Sequence, residues 1–316
     1  MESMESVSQL LAVHVRSMLL RCALDYEKLQ EVRLRIRQPV LLRYDGAEFA
    51  LCAPGFLSES PGEGWPMTAE EMKETLEYVS GYSLYAFEEE LCQGFLTVPG
   101  GHRVGVAGHT VMERDQVRSM RYPSFLNIRV SHQRKGCADL VLPFLYENRE
   151  FCHTLILSPP GGGKTTLLRD LVRQISNGGD FGAGRTVGVV DERSEIAGSY
   201  LGVPQNDVGM RTDVLDACRK GEGMRMLLRS MSPKVIAVDE LGDEQDGHAI
   251  ESVFHCGCRL LATVHGASMD EICRKPLLSR MVRERLFERY VVLSGAQRAG
   301  EVREILDSSK KVLYHK

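Results

Sequence analysis

The stretch His153-Thr-Leu-Ile-Leu-Ser158-Pro159-Pro160-Gly161-Gly162-Gly163-Lys164-Thr165-Thr166-Leu-Leu-Arg169 passes from a short apolar run through a glycine cluster into a helix that opens on Lys-Thr. Glycine reaches positive φ without a side-chain clash, so Gly161, Gly162 and Gly163 let successive backbone N–H groups turn inward around an anion. The helix that follows aims its unbonded N–H groups and positive dipole end at the same place. Lys164 is then placed to reach the β and γ phosphates of a nucleoside triphosphate, and the Thr165 hydroxyl to ligate Mg²⁺. Ser158 stands where this phosphate-loop pattern usually carries its first glycine, and Pro159 and Pro160 stiffen the entry. Serine is small, so the turn is expected to survive. A glycine-rich connection that binds nothing is the bland alternative; a strand before, Gly-Lys-Thr in place and a helix after argue against it.

Short apolar runs of the kind buried on both faces of a parallel sheet recur at 154–157, 186–190, 235–238 and 259–264, alternating with helical segments. The second leads into Asp191-Glu192-Arg193-Ser194-Glu195, which puts carboxylates at a strand C-terminus, where α/β sheets collect ligands. The third leads into Asp239-Glu240, a Walker B arrangement. There Asp239 belongs to the Mg²⁺ shell, and Glu240 is the carboxylate able to orient a water and accept its proton. The fourth ends in Thr263-Val-His265, and two readings of His265 stay open: a structural histidine, or one that hydrogen-bonds the γ-phosphate and passes that state onward. ATP and Mg²⁺ are the implied ligands.

A length of 316 residues suits about two domains, and 43% apolar content supplies their cores. The net charge of −4 and pI of 6.2 give no global pull toward nucleic acid or an anionic membrane, so no stable nucleic-acid partner is expected. The acidic start Met1-Glu-Ser-Met-Glu5 does not look like a secretory signal, and no apolar run approaches the roughly 20 residues that span a bilayer. A cytoplasmic location is expected. The nine cysteines, scattered from Cys22 to Cys273, read as reduced, packed thiols; Cys256-Gly-Cys258 beside His255 lacks a second pair at zinc spacing.

The N-terminal part reads as α+β. Val7, Leu10, Leu11, Val15, Met18 and Leu19 predict a helix between 7 and 30, broken near Asp25. Alternation over Val32 to Arg37, then Val40 to Tyr44 up to Asp45-Gly46, predicts a hairpin whose wet face carries Arg33, Arg35 and Arg37. Residues 55–66 read as a mobile loop, and Thr68-Ala-Glu-Glu71 as a capping box opening a helix that ends near Gly81. Residues 94–130 predict a small antiparallel sheet. The polar His132-Gln-Arg-Lys-Gly136 is the expected junction, followed by a helix over 138–148, giving domains 1–136 and 137–316.

The order of the phosphate loop at 158–165, the acidic segment 191–195, Asp239-Glu240 and Thr263-Val-His265 resembles that of the secretion (traffic) ATPases of type II and type IV systems and pili. Gly223 to Glu240 is similar to the Arg-containing helix and Pro-led strand that precede Walker B there. Glu31 to Arg37, Gly81 to Glu89, Gly100 to Gly105 and Ser158 to Thr165 together resemble, nearly end to end, the sporulation branch of that superfamily in endospore-forming bacteria. The resemblance implies an α/β fold with a RecA-like P-loop ATPase domain at the C-terminus. It also implies a homo-oligomer, a hexamer, in the mother-cell cytoplasm. That assembly would lie peripheral to the membrane through sporulation membrane proteins of the channel to the forespore.

The resemblance carries the catalytic glutamate of the acidic box onto Glu195 and that of Walker B onto Glu240. It maps the N-terminal-domain arginines that reach the γ-phosphate onto Arg103 and Arg129, where a solvated arginine on a strand face is an equal alternative. The long N-terminal docking region and four-cysteine zinc module of larger traffic ATPases have no counterpart in this sequence. Two further functions compete with a hydrolysing motor. Arg33, Arg35 and Arg37, with Arg274, Arg280, Arg283, Arg285 and Arg289, suit a nucleic-acid-dependent motor. A nucleotide-gated scaffold needs only the phosphate cradle, and two intact acidic motifs argue against it.

Overall fold

Alternation at Val32, Arg33, Leu34 and Arg35 builds β1 (Leu29–Arg35), with Val32 and Leu34 fully buried on one face and the arginines half-buried on the other. It belongs to the first of two units, Met1–His132 and Gln133–Lys316, of the computed structural model, which describes residues 4–83, 88–242 and 246–316. β1 pairs with β2 (Leu41–Tyr44), which returns as β3 (Ala47–Cys52) through Asp45-Gly46. Both turn residues have positive φ, 50° and 82°, as a two-residue hairpin turn demands. Adding β4 (Phe56–Ser58), β5 (Phe95–Val98), β6 (His102–Glu113) and β7 (Gln116–Arg129) gives one sheet in the order β4-β3-β2-β1-β7-β6-β5. The small sheet expected at 94–130 is therefore the second half of a larger one. The loop expected over 55–66 contributes its edge strand, β4. The basic strand face stops at Arg35, because Arg37 lies beyond β1 at φ +64°.

The helix expected between 7 and 30 is instead two short ones, α1 (Met4–Ser8) and α2 (Val13–Arg21). The break is stabilised by Arg16, whose guanidinium donates to the carbonyls of Ser8, Gln9 and Leu11 at 2.9, 2.8 and 3.0 Å. α3 (Ala69–Val79) carries the capping box: Thr68 Oγ1 accepts the Glu71 N–H at 3.1 Å and Glu71 Oε2 accepts the Thr68 N–H at 2.9 Å. α4 (Glu88–Gln93) precedes β5. Residues 84–87, within the Gly81 to Glu89 stretch, lie outside the described residues.

In the second unit the helix expected over 138–148 is absent. Pro143 offers no N–H, and the chain turns through a 3-10 segment, Leu142–Leu145, into a small hairpin. The hairpin is β8 (Tyr146–Glu147) and β9 (Glu150–Phe151), closed by Asn148 and Arg149 at φ 51° and 65°. Then come β10 (Thr154–Ser158) and α5 (Lys164–Asn177), the ribbon β11 (Gly178–Gly179) and β12 (Gly182–Ala183), β13 (Val187–Asp191) and β14 (Thr212–Asp216). They are followed by α6 (Lys220–Ser230), β15 (Val235–Val238), α7 (Gly247–His255), β16 (Arg259–His265), α8 (Met269–Ile272), α9 (Pro276–Arg283), β17 (Arg289–Leu293), β18 (Val302–Asp307) and β19 (Val312–His315). The sheet order is β14-β13-β15-β16-β10-β17-β18-β19, parallel through β17 and antiparallel in the last two pairs.

Side chains alternate along β10: Leu155 and Leu157 pack with α6, α7 and α9, while Ile156 packs with α5 on the opposite face. α5 presents Leu167, Leu168, Leu171, Val172 and Ile175 as one apolar stripe. Each such buried side chain stabilises the unit by about 1.5–3 kcal/mol relative to exposure, so both faces anchor the strands and their C-terminal ends share one rim. Among the described residues no helix is long and apolar enough to cross a membrane.

His102, fully buried at the start of β6, joins the first unit's terminus to its sheet. Its Nδ1 accepts the Ser131 N–H at 3.1 Å, so its Nε2–H donates to Ser6 Oγ at 2.9 Å. Burial, with a smaller contribution from the charge of His132, lowers its pKa to about 4. A histidine depressed in this way contributes stability that is complete above the unfolded value near 6.5 and is lost as pH falls through 4. The expected loss over that window is about 3 kcal/mol. Urea denaturation followed by fluorescence of Trp65, the chain's one tryptophan, should show a shallower pH dependence in His102→Gln than in the wild type. Parallel curves would refute the assignment.

Candidate active site

Every residue of β10 is buried, and the loop beyond it fits the space left by its glycines. A Cβ on Gly162 would stand 2.0 Å from Ser158 Oγ and 2.8 Å from Ser294 O. One on Gly163, the N-cap of α5 at φ +89°, would stand 2.7 Å from Gly300 N. Gly161 is also at positive φ, 73°. The Ser158 hydroxyl, donating to Pro159 O at 2.8 Å, fills the volume that Gly162 vacates, so serine is accommodated at the loop entry. Pro160 is exposed and Pro159 half-buried. No side chain caps α5, which leaves its first-turn N–H groups, with half-buried Lys164, Thr165 and Thr166, facing the loop.

Thr165 Oγ1 donates to Asp239 Oδ2 at 2.7 Å, joining the first turn of α5 to the end of β15. Thr263 Oγ1, fully buried on β16, donates to the other Asp239 oxygen and accepts the Glu240 N–H at 2.9 Å. This holds Glu240 at φ +61°, a left-handed conformation that non-glycine residues adopt at a cost. The Glu240 carboxylate lies 2.9 Å from His265 Nε2 and 3.3 Å from Arg193 Nη1. His265 is level with Ser158 across the β10–β16 pair, and its buried Nδ1 has no hydrogen-bond partner among the described residues.

Asp191, 2% exposed, turns inward from the end of β13. Its carboxylate accepts the N–H groups of Glu195 at 2.8 Å, Ile196 at 3.0 Å and Ala197 at 2.8 Å. Burial raises its pKa above the ordinary aspartate value against the pull of those donors. Asp191 thus serves the backbone of the acidic segment, and one cleft is lined by Asp191, Glu192, Arg193, Glu195, Lys220, Asp239 and Glu240. Lys220, the first residue of α6, pairs with Glu192 there. A hydroxyl beside a carboxylate, Thr165 with Asp239, is a hard-oxygen donor pair suited to Mg²⁺, which keeps several of its waters.

Arg103 and Arg129 belong to the first unit and are brought together there, directly opposite each other on β6 and β7. The Arg103 guanidinium lies 3.6 Å from the centroid of the Phe95 ring, and Arg129 Nε lies 4.0 Å from Glu31 Oε1. Thr263, Lys220, Arg193 and Arg169 join the site without a role in the motif pattern. Thr263 carried a signal, its place two residues before His265; the basic residues carried none.

The sequence matches the family described as "Sporulation stage III, protein AA" over residues 1–313. It is 43% identical to the stage III sporulation protein AA of Bacillus subtilis (strain 168), over 90% of this chain and 89% of that protein. Among solved structures it resembles the Legionella pneumophila ATPase DotB, with a TM-score of 0.56 and 14% identity, over 89% of this chain and 77% of that one. It also resembles the ADP-bound pilus retraction motor PilT, with a TM-score of 0.55 and 15% identity, over 84% of this chain and 74% of that one. These two likenesses identify the RecA-like fold of the secretion ATPases. With that fold and near-complete coverage by one family, the chain belongs to the stage III sporulation protein AA family.

Proposed function

We propose that the protein is an Mg²⁺-dependent ATP hydrolase, a motor of the secretion ATPase type that energises a membrane assembly during endospore formation. The observation that carries this reading is the Thr165–Asp239 hydrogen bond at 2.7 Å, beside a cleft that Glu195 and Glu240 also line. Backbone N–H groups of Gly161 to Thr165 cradle the phosphates, and Lys164 neutralises their outer oxygens. Ser158, Pro159 and Pro160 shape the entry, and Thr166 continues the first turn. Thr165 and Asp239 hold the Mg²⁺, which offsets charge on the transferring phosphoryl group. Glu240 orients the attacking water and takes its proton. Glu195, held on a fixed backbone, is the second carboxylate available for that task. His265, bonded to Glu240, senses the γ-phosphate end of the site.

In this reading Arg103 and Arg129 contribute positive charge to the γ-phosphate, and coupling them to hydrolysis turns a chemical cycle into domain motion. The working form is a homo-oligomeric ring, a hexamer, in the mother-cell cytoplasm, docked on sporulation membrane proteins. The likeness to DotB, an ATPase, and to PilT, a pilus retraction motor, supports the motor reading by analogy of fold.

Phosphate release from Mg-ATP tests the chemistry. Lys164→Ala is expected to lose nucleotide binding and turnover together, whereas Glu240→Gln should still bind ATP while turnover falls by about 100-fold or more. A wild-type oligomer that binds Mg-ATP and releases no phosphate would sink the proposal. A separate measurement addresses the arginines: Arg103→Ala and Arg129→Ala should each retain ATP binding and lose about 1000-fold in turnover. Unchanged turnover would return both to the role of solvated strand residues.

A further inference from the structure

Arg169 lies five residues beyond Lys164 on α5 and is 8% exposed, an unusual burial for a permanently charged side chain. Its Nε donates to the carbonyl of Ile196 and its Nη2 to the carbonyl of Glu195, both at 2.6 Å. The Asn206 side chain adds a third donor, to Ile196 O at 3.1 Å. On the opposite side of the same peptides, Asp191 accepts the N–H groups of Glu195, Ile196 and Ala197. The backbone that carries Glu195 is therefore held from both directions, its donors by the end of β13 and its acceptors by the helix that opens on the phosphate loop. A carbonyl pair needs two donors in a fixed fork, which guanidinium provides and a lysine ammonium, a single point charge, does not.

We infer that Arg169 is a positioning residue, which registers Glu195 against the phosphate cradle and transmits occupancy of that cradle to the acidic segment. The inference rests on the hydrolase reading for its kinetic consequence, but the clamp itself is independent of turnover. Glu195 is the second carboxylate of the site, and a displacement of about 1 Å in a group that positions the reacting water costs up to about 100-fold in rate. Arg169→Lys is accordingly expected to lower kcat by about 10- to 100-fold with KM for ATP nearly unchanged. Combined with Glu195→Gln, it should add no further loss, because both changes remove the same contribution. A purely structural role would instead change KM and kcat together, or multiply with Glu195→Gln, and either result overturns the inference.

Hydrogen exchange of the full chain separates this idea from the hydrolase reading. In the wild type the amides of Glu195, Ile196 and Ala197 should be protected, and more so with Mg-ATP or a non-hydrolysable analogue. In a folded Arg169→Lys, checked by its melting curve, that added protection should vanish while analogue binding persists. Equal protection in both proteins overturns the clamp. A wild type without turnover overturns the hydrolase reading and leaves the exchange result to decide the clamp. If Arg169→Lys fails to fold, Asn206→Ala, which removes the neighbouring donor to Ile196 O, should show the same loss of added protection in weaker form; its absence there counts against the inference.

Discussion

The candidate site depends on one contact between distant parts of the chain: the Thr165 hydroxyl on the Asp239 carboxylate. It exists because β10 and β15 run parallel with only β16 between them, so their C-terminal ends open on the same side of the sheet. The helix following one strand and the acidic pair following the other then meet across β16. Thr263 on that intervening strand completes the arrangement by bonding Asp239 and the Glu240 N–H together. A threonine is suited to this place because its β-branched body packs in a buried strand while its hydroxyl both donates and accepts.

Charge at the rim is arranged in two tiers. Asp191 is buried and bound by backbone donors, so moving it would leave three amides unpaired in a low-dielectric interior. Glu240 is different: its pairing with Arg193, whose side chain is 65% exposed, is a surface ion pair worth about 1 kcal/mol or less. The first tier keeps the acidic segment still; the second lets one carboxylate change partners at little cost.

The fold was largely legible where burial is two-sided. The runs at β10, β13, β15 and β16 are short and apolar and lead into prolines, glycines or acidic residues, and a parallel sheet is the structure that buries them. β14, Thr212-Asp-Val-Leu-Asp216, carries no such apolar signature because it forms a half-exposed edge. β17, at Arg289-Tyr-Val-Val-Leu293, has the same apolar character as the others but opens on an arginine, in a segment whose charge pattern masks the strand. Helical periodicity misled twice. At residues 7–30 the Arg16 side chain ends a helix that the apolar spacing would continue, and at 138–148 Pro143 withholds the N–H that a helix requires. At the site, the placement of Thr165 beside Asp239 was readable from motif order. The roles of Arg169 and Lys220 were not, since their partners lie 26 to 28 residues away in loops without a regular pattern.

Gly162 O accepts the Gly300 N–H at 2.9 Å, and the vacant Cβ positions of Gly162 and Gly163 are walled by Ser294 and Gly300. The outer side of the phosphate loop is thus made by the turn between β17 and β18, in the chain's last quarter. Change there is constrained by a loop more than 130 residues earlier through the backbone: Gly300 sits at φ +82° with its N–H spent on Gly162 O, so a side chain at 300 would meet open space but strain the one turn geometry that closes the phosphate loop.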